Sequence, residues 1–64
     1  MTVREIAKRF KVRKWLVYDV IDYIETVQGY NFKREGNRLV IDDKAYQRIT
    51  KELERRGYYE KVKL

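Results

Sequence analysis

The densest cluster of chemistry-bearing side chains is Arg13, Lys14, Trp15 and Tyr18, preceded by Arg9 and Lys11. Guanidinium and ammonium groups donate hydrogen bonds to guanine acceptors, and an aromatic edge packs on a thymine methyl. A second cluster, Lys33, Arg34, Asn37 and Arg38, surrounds Gly36. Cations at a turn can track phosphates or enter a narrow, negative minor groove. Each cluster also has a plainer reading. Arg13 and Lys14 can be a solvated helix start, and basic residues protect the edges of sheets. A lone tryptophan in a small domain is more often packed than free.

A third set, Lys44, Arg48, Lys51 and Arg55, recurs at steps of four, three and four. At 3.6 residues per turn these four share an arc of about 60°. Asp43, Glu52 and Glu54 are expected on the other side. Such a stripe is commonly just a solvated face. It could also serve phosphate or a partner.

Other chemistries lack their residues. The chain has no cysteine and no histidine, which removes thiolate metal sites and the usual general base. Serine is absent as well. The expectation is a protein that is not an enzyme, with no cofactor, no metal and no small-molecule substrate. At 64 residues there is one domain, with little room for a catalytic cleft. No apolar run approaches the roughly 18 residues of a membrane span, and no signal peptide is visible. The expected location is cytoplasmic, associated with the nucleoid. Charged residues of both signs make up 41% of the chain, a composition that leans towards a thermophile.

The net charge is +6. Arg4, Lys8, Arg9, Lys11, Arg13 and Lys14 crowd the front, whereas Asp19, Asp22 and Glu25 follow. A basic excess of this kind is an electrostatic footprint for phosphate. The carboxylates argue the other way. They could pair with Lys14, Tyr18 or an arginine of the second cluster, or mark a protein-binding surface.

The elements that position these residues are legible. Thr2 and Glu5 form a capping box opening a helix from about Val3 to Phe10, with Ile6, Ala7 and Phe10 as its stripe. Lys11 and Val12 make a turn. A second helix runs from about Arg13 to Glu25 or Val27, with Leu16, Val17, Val20, Ile21 and Ile24 on one face, and Gly29 ends it. Tyr30 to Ile41 alternates around Arg34-Glu35-Gly36-Asn37, which predicts a β-hairpin. Its loop is Glu35-Gly36 or Gly36-Asn37, and its anchors are Phe32 and Leu39. Asp42 or Asp43 caps a third helix reaching about Arg56, with Tyr46, Ile49 and Leu53 as its stripe and Gly57 as its stop. Residues 1–57 then form the domain and 58–64 a tail, in which Tyr59, Val62 and Leu64 could pack back or meet a partner.

The order helix, turn, helix, hairpin, helix is that of a mainly α winged helix-turn-helix. Ile6-Ala7, Phe10, Val12, Val17 and Val20 match the apolar skeleton of helix-turn-helix motifs. The hairpin, followed by Gly36 to Asp43 leading into a helix, resembles the winged-helix modules of the MerR and excisionase superfamily. The resemblance covers roughly Thr2 to Leu53 and is moderately specific. It departs at Lys11, where glycine is usual, at Arg13, where a Ser or Thr cap is usual, and at Leu16, where threonine is common. It implies double-stranded DNA binding by Arg13, Lys14 and Tyr18 of the second helix and by Lys33, Arg34 and Arg38 of the wing. Such a module would be an excisionase-like factor, a small regulator of transcription, or a domain of a larger protein, working as two or more copies or with a partner protein. The rival resemblance is to a protein-interaction domain at the front of translation initiation factors, carried by Val3-Arg4-Glu5-Ile6-Ala7-Lys8.

Overall fold

Thr2 starts the first helix by accepting the Glu5 amide on its hydroxyl at 3.2 Å. The Glu5 carboxylate accepts the Thr2 hydroxyl rather than the Thr2 amide, so half of the capping box forms. The structure is a computed structural model that describes residues 1–61. Its elements are α1 (Val3–Phe10), α2 (Lys14–Val27), β1 (Lys33–Glu35), β2 (Arg38–Val40) and α3 (Asp43–Arg55). This mainly helical chain with one antiparallel hairpin is compatible with a small winged-helix-like fold.

The turn after α1 is made by Lys11 in the left-handed conformation, φ 53° and ψ 47°. The Lys11 amide donates to the Lys8 carbonyl and the Val12 amide to the Ala7 carbonyl. This is a Schellman turn. Lysine therefore fills a backbone position that suits glycine.

All five predicted apolar residues of α2 are buried, as are Ile6, Ala7 and Phe10 of α1. They meet Ala45, Ile49 and Leu53 of α3. Val3 joins this core, which the capping-box reading did not anticipate. Of the two possible caps of α3, Asp42 is the one used, accepting the Ala45 amide at 2.9 Å. The helix ends in a second Schellman turn, with the Tyr58 amide on the Leu53 carbonyl and the Gly57 amide on the Glu54 carbonyl.

The hairpin is shorter than the alternation suggested. Lys33 pairs with Val40, Arg34 with Leu39 and Glu35 with Arg38, which leaves Gly36-Asn37 as the loop. Gly36 carries the positive φ, 62°, as the first position of a II′ turn demands. Tyr30, Phe32 and Ile41 lie outside the strands. The anchors also differ from expectation. Phe32 and Ile41 are buried, while Leu39 is half-buried. The period-2 pattern puts Phe32, Arg34, Leu39 and Ile41 on one face, and the pair nearest the helices is the one that goes under.

The start of the tail packs back. The Lys61 amide donates to the Arg9 carbonyl at 2.7 Å, and the Tyr46 hydroxyl donates to Glu60 at 3.1 Å. Tyr59 is exposed, and Val62 and Leu64 lie outside the described residues.

Left-handed backbone costs a non-glycine residue about 1–2 kcal/mol. Glycine regains most of that, less about 0.5–1 kcal/mol of extra chain entropy. Lys11→Gly is expected to stabilise the fold by about 0.5–1 kcal/mol. Chemical denaturation of the two proteins side by side measures it, and a less stable variant would show that Lys11 makes a compensating contact.

Candidate nucleic-acid interface

Burial of Leu16 and Val17 leaves the neighbouring positions of α2 no choice. At 100° per residue, Lys14, Trp15 and Tyr18 must face water. Trp15 is 65% exposed and Tyr18 is 54% exposed. Arg13 is the N-cap, in extended backbone, and its side chain caps nothing. Lys11 and Arg13 are exposed. Among the described residues, Lys11, Arg13 and Lys14 take part in no ion pair. The start of α2 therefore presents three uncommitted cations and two aromatic rings to solvent, with Lys14, Trp15 and Tyr18 within one arc of the helix. Backbone amides at a helix N-terminus add partial positive charge there.

Arg9 belongs elsewhere. Its side chain is half-buried, its guanidinium lies 5.6 Å from the centre of the Tyr46 ring, and it bonds the Tyr46 hydroxyl at 3.4 Å. Glu60 sits 3.7 Å away. The sequence placed Arg9 with the front cations, but the fold uses it to hold α1 to α3 and the tail.

The wing divides in the same way. Arg34 faces α2 and meets the Glu25 carboxylate with two hydrogen bonds of 3.3 Å. Lys33 approaches Asp42 at 3.7 Å but remains largely exposed. Asn37 and Arg38 are exposed at the tip, and Arg38 has no ion pair among the described residues. The tip thus offers Arg38 and Asn37, whereas Lys33 pairs with Val40 at the open end of the hairpin, away from the turn where the sequence grouped it, and Arg34 fixes the wing to the helix.

Of the three carboxylates that follow the front cations, Glu25 takes the wing arginine and Asp19 takes Arg56 at 2.8 Å. Asp22 is exposed with no ion pair among the described residues. None of them pairs with Lys14.

Arg56 was not singled out in the sequence, yet it closes the largest polar network. Glu52 is buried, 3% exposed. Arg55 grips it at 2.9 and 2.6 Å, and the Arg56 Nε adds a bond of 2.8 Å. Both guanidiniums lie over the Tyr23 ring. The expected segregation of α3 is therefore incomplete, because Glu52 turns inward and engages the stripe's own Arg55. Spacings of three and four from Glu52 signalled these contacts. The long reach to Asp19 left no local signal.

No protein-family model matches the chain, and no curated protein or solved structure matches it significantly. Among the described residues no helix is long and apolar enough to cross a membrane, and no three metal-ligating side chains cluster.

The hydrogen bonds from Arg55, then those from Arg56, hold the Glu52 carboxyl below the usual glutamate value of about 4.5, against the opposing effect of burial. A lowered folded-state pKa contributes stability that is present above the unfolded pKa and lost as pH falls through the folded one. Asp42 shifts in the same direction, chiefly through the Ala45 amide and then Lys33. Glu52→Gln is expected to lower stability at neutral pH by about 1–3 kcal/mol. Its stability should also fall less steeply below about pH 4.5 than that of the parent. Thermal unfolding across pH 2–7 checks both. Parallel acid limbs would remove Glu52 from the acid response.

Proposed function

We propose that this is a double-stranded DNA-binding module of winged helix-turn-helix type, docking through the first turns of α2 and the tip of the hairpin. One observation carries the reading. Lys11 sits in left-handed backbone where glycine is preferred, and Arg13 stands uncapped where Ser, Thr, Asn or Asp is preferred. Two adjacent breaches of local preference, both filled by exposed cations, sit at the start of the helix that would enter a groove. Local rules are broken most readily where function needs the residue.

The remaining features fit that docking. Lys14 and Arg13 reach phosphates or guanine edges, Trp15 and Tyr18 pack against sugars or thymine methyls, and Arg38 follows the adjacent backbone or groove. Asp22 repels phosphate, so α2 approaches with its N-terminus leading. With this few cations, one copy binds weakly and with strong salt dependence, which favours two or more copies on a site. Work as an excisionase-like factor or a small transcriptional regulator, in contact with the nucleoid, follows from this reading.

The exposed Trp15 supports a second reading. Tryptophan, tyrosine and arginine dominate the hot spots of protein interfaces, and Arg13, Trp15 and Tyr18 would form one. In that case the surface anchors a partner protein.

Titration of a labelled mixed-sequence duplex at two salt concentrations separates the two. Arg13→Ala and Lys14→Ala should each weaken binding and lower the salt slope by about 1. Arg38→Ala should weaken it more than Arg34→Ala, because Arg34 is engaged by Glu25. Parent-like affinity in Arg13→Ala and Arg38→Ala, or no binding of duplex at low salt, would shift the assignment to the protein partner.

Arg13→Ser tests the trade between cap and contact. It should stabilise the domain by roughly 0.5–1 kcal/mol while weakening duplex binding. A variant that gains no stability would show that the missing side-chain cap at Arg13 costs the domain nothing.

A further inference from the structure

Beside the end of α2, α3 carries a concavity of about 500 Å³. Gln28, Lys44, Gln47, Arg48, Lys51 and Arg55 line it, over the buried Glu52. Two of its arginines are held in place from beneath. Arg48 lies 4.4 Å from the centre of the Tyr30 ring and donates to the Gln28 side-chain oxygen at 3.2 Å. Tyr30 in turn meets Phe32 edge to face at 4.9 Å. Arg55 lies over Tyr23 and is clamped by Glu52. Each guanidinium keeps further N–H groups free to donate, since arginine carries five. Lys44 and Lys51 are exposed and have no ion pair among the described residues.

Preorganised arginines flanked by free lysines suit oxyanions, because little side-chain freedom is lost on binding. The cations run along α3 for about 16 Å at 1.5 Å per residue, so the ligand is an extended polyanion and not a single ion. The lining also decides between classes of polyanion. Every side chain on it is polar or charged. A protein partner needs an apolar or aromatic anchor at the centre of its interface. Here the Tyr23 and Tyr30 rings lie under the arginines and leave no such pocket in the floor of the groove; the apolar hollow of about 210 Å³ at Tyr46 and Thr50 lies beyond Gln47 and Lys51, outside the line of cations. A phosphodiester backbone needs only cations and amide donors.

We infer that this groove is a second binding site for the phosphate backbone of a nucleic acid, separate from the start of α2. Gln28 follows the last residue of α2, so the Arg48 end of the groove stands about 20 Å along that helix from Lys14. The Arg55 end of the groove lies over Tyr23, about 14 Å along α2 from Lys14, so the groove is offset from the start of α2 along its whole length and farthest from it at Gln28. Asp19 and Asp22 lie on α2 between Lys14 and Tyr23. One domain could then hold two nucleic-acid segments at once. That consequence rests on the docking proposed above, but the groove's own ligand does not.

The test uses the full chain and a labelled mixed-sequence duplex, read by anisotropy over a salt series. The variants are Lys44→Glu with Lys51→Glu, Arg13→Ala with Lys14→Ala, and all four changes together. Lys44→Gln with Lys51→Gln serves as a milder pair, and circular dichroism checks each fold. The expected result is that the Lys44/Lys51 pair lowers the salt slope by about 2. The four-fold variant should bind at least ten times more weakly than the Arg13/Lys14 pair.

An unchanged slope and affinity on altering Lys44 and Lys51, in both backgrounds, overturns the groove while leaving the α2 docking intact. Loss confined to the Lys44/Lys51 variants supports the groove and removes the α2 docking. No duplex binding by the parent overturns both. Poly-glutamate that displaces duplex from the Arg13/Lys14 variant better than unlabelled duplex of equal charge overturns the choice of ligand in favour of an acidic protein.

Discussion

Each helix of this domain has one apolar face, and the three faces must close on one another because the sequence offers no other staple. There is no cysteine to cross-link the chain and no histidine or cysteine to hold a structural metal. A chain of this size is marginal on burial alone. Phe10, Ile24, Ile49 and Leu53 are fully enclosed, and each comes from the apolar face of its own helix. The surface chemistry follows from that closure. Once Leu16 and Val17 point inward, Trp15 and Tyr18 have only the outside left to them.

Within that frame, ion pairing sorts the cations. Those engaged with carboxylates or rings, namely Arg9, Arg34, Arg48, Arg55 and Arg56, tie elements together. The carboxylates involved come from different parts of the chain. Glu25 holds the wing, Asp19 and Glu52 join α2 to α3, and Glu60 brings the tail to α1. Lys11, Arg13, Lys14 and Arg38 are left facing solvent. A mixed charge composition thus ties elements together and also leaves cations facing solvent, and Arg48 and Arg55 do both, held on one side by a ring and exposed on the other.

Helix spans and the inward faces were readable from spacing, because 3.6-residue periodicity and caps are local properties. Val3–Phe10 matches the expected first helix, and the five apolar positions of α2 are the buried ones. The fate of individual arginines was not readable. Arg9 meets Tyr46 across 37 positions and Arg56 meets Asp19 across another 37. Nothing in the local sequence distinguishes such an arginine from Arg13. The hairpin loop lay between these cases. Alternation alone left two registers, and the choice falls to Gly36-Asn37 through the backbone preference of one glycine.

The chain has a single tryptophan, and the fold leaves it mostly in water. Its indole therefore meets a similar solvent in the folded and unfolded chains. Intrinsic emission is a poor reporter of unfolding for this protein, and the aromatic signal of the core rests on phenylalanine and half-buried tyrosines. The same placement makes that emission selective. With excitation confined to the indole and away from the six tyrosines, a blue shift on adding a second molecule reports the start of α2.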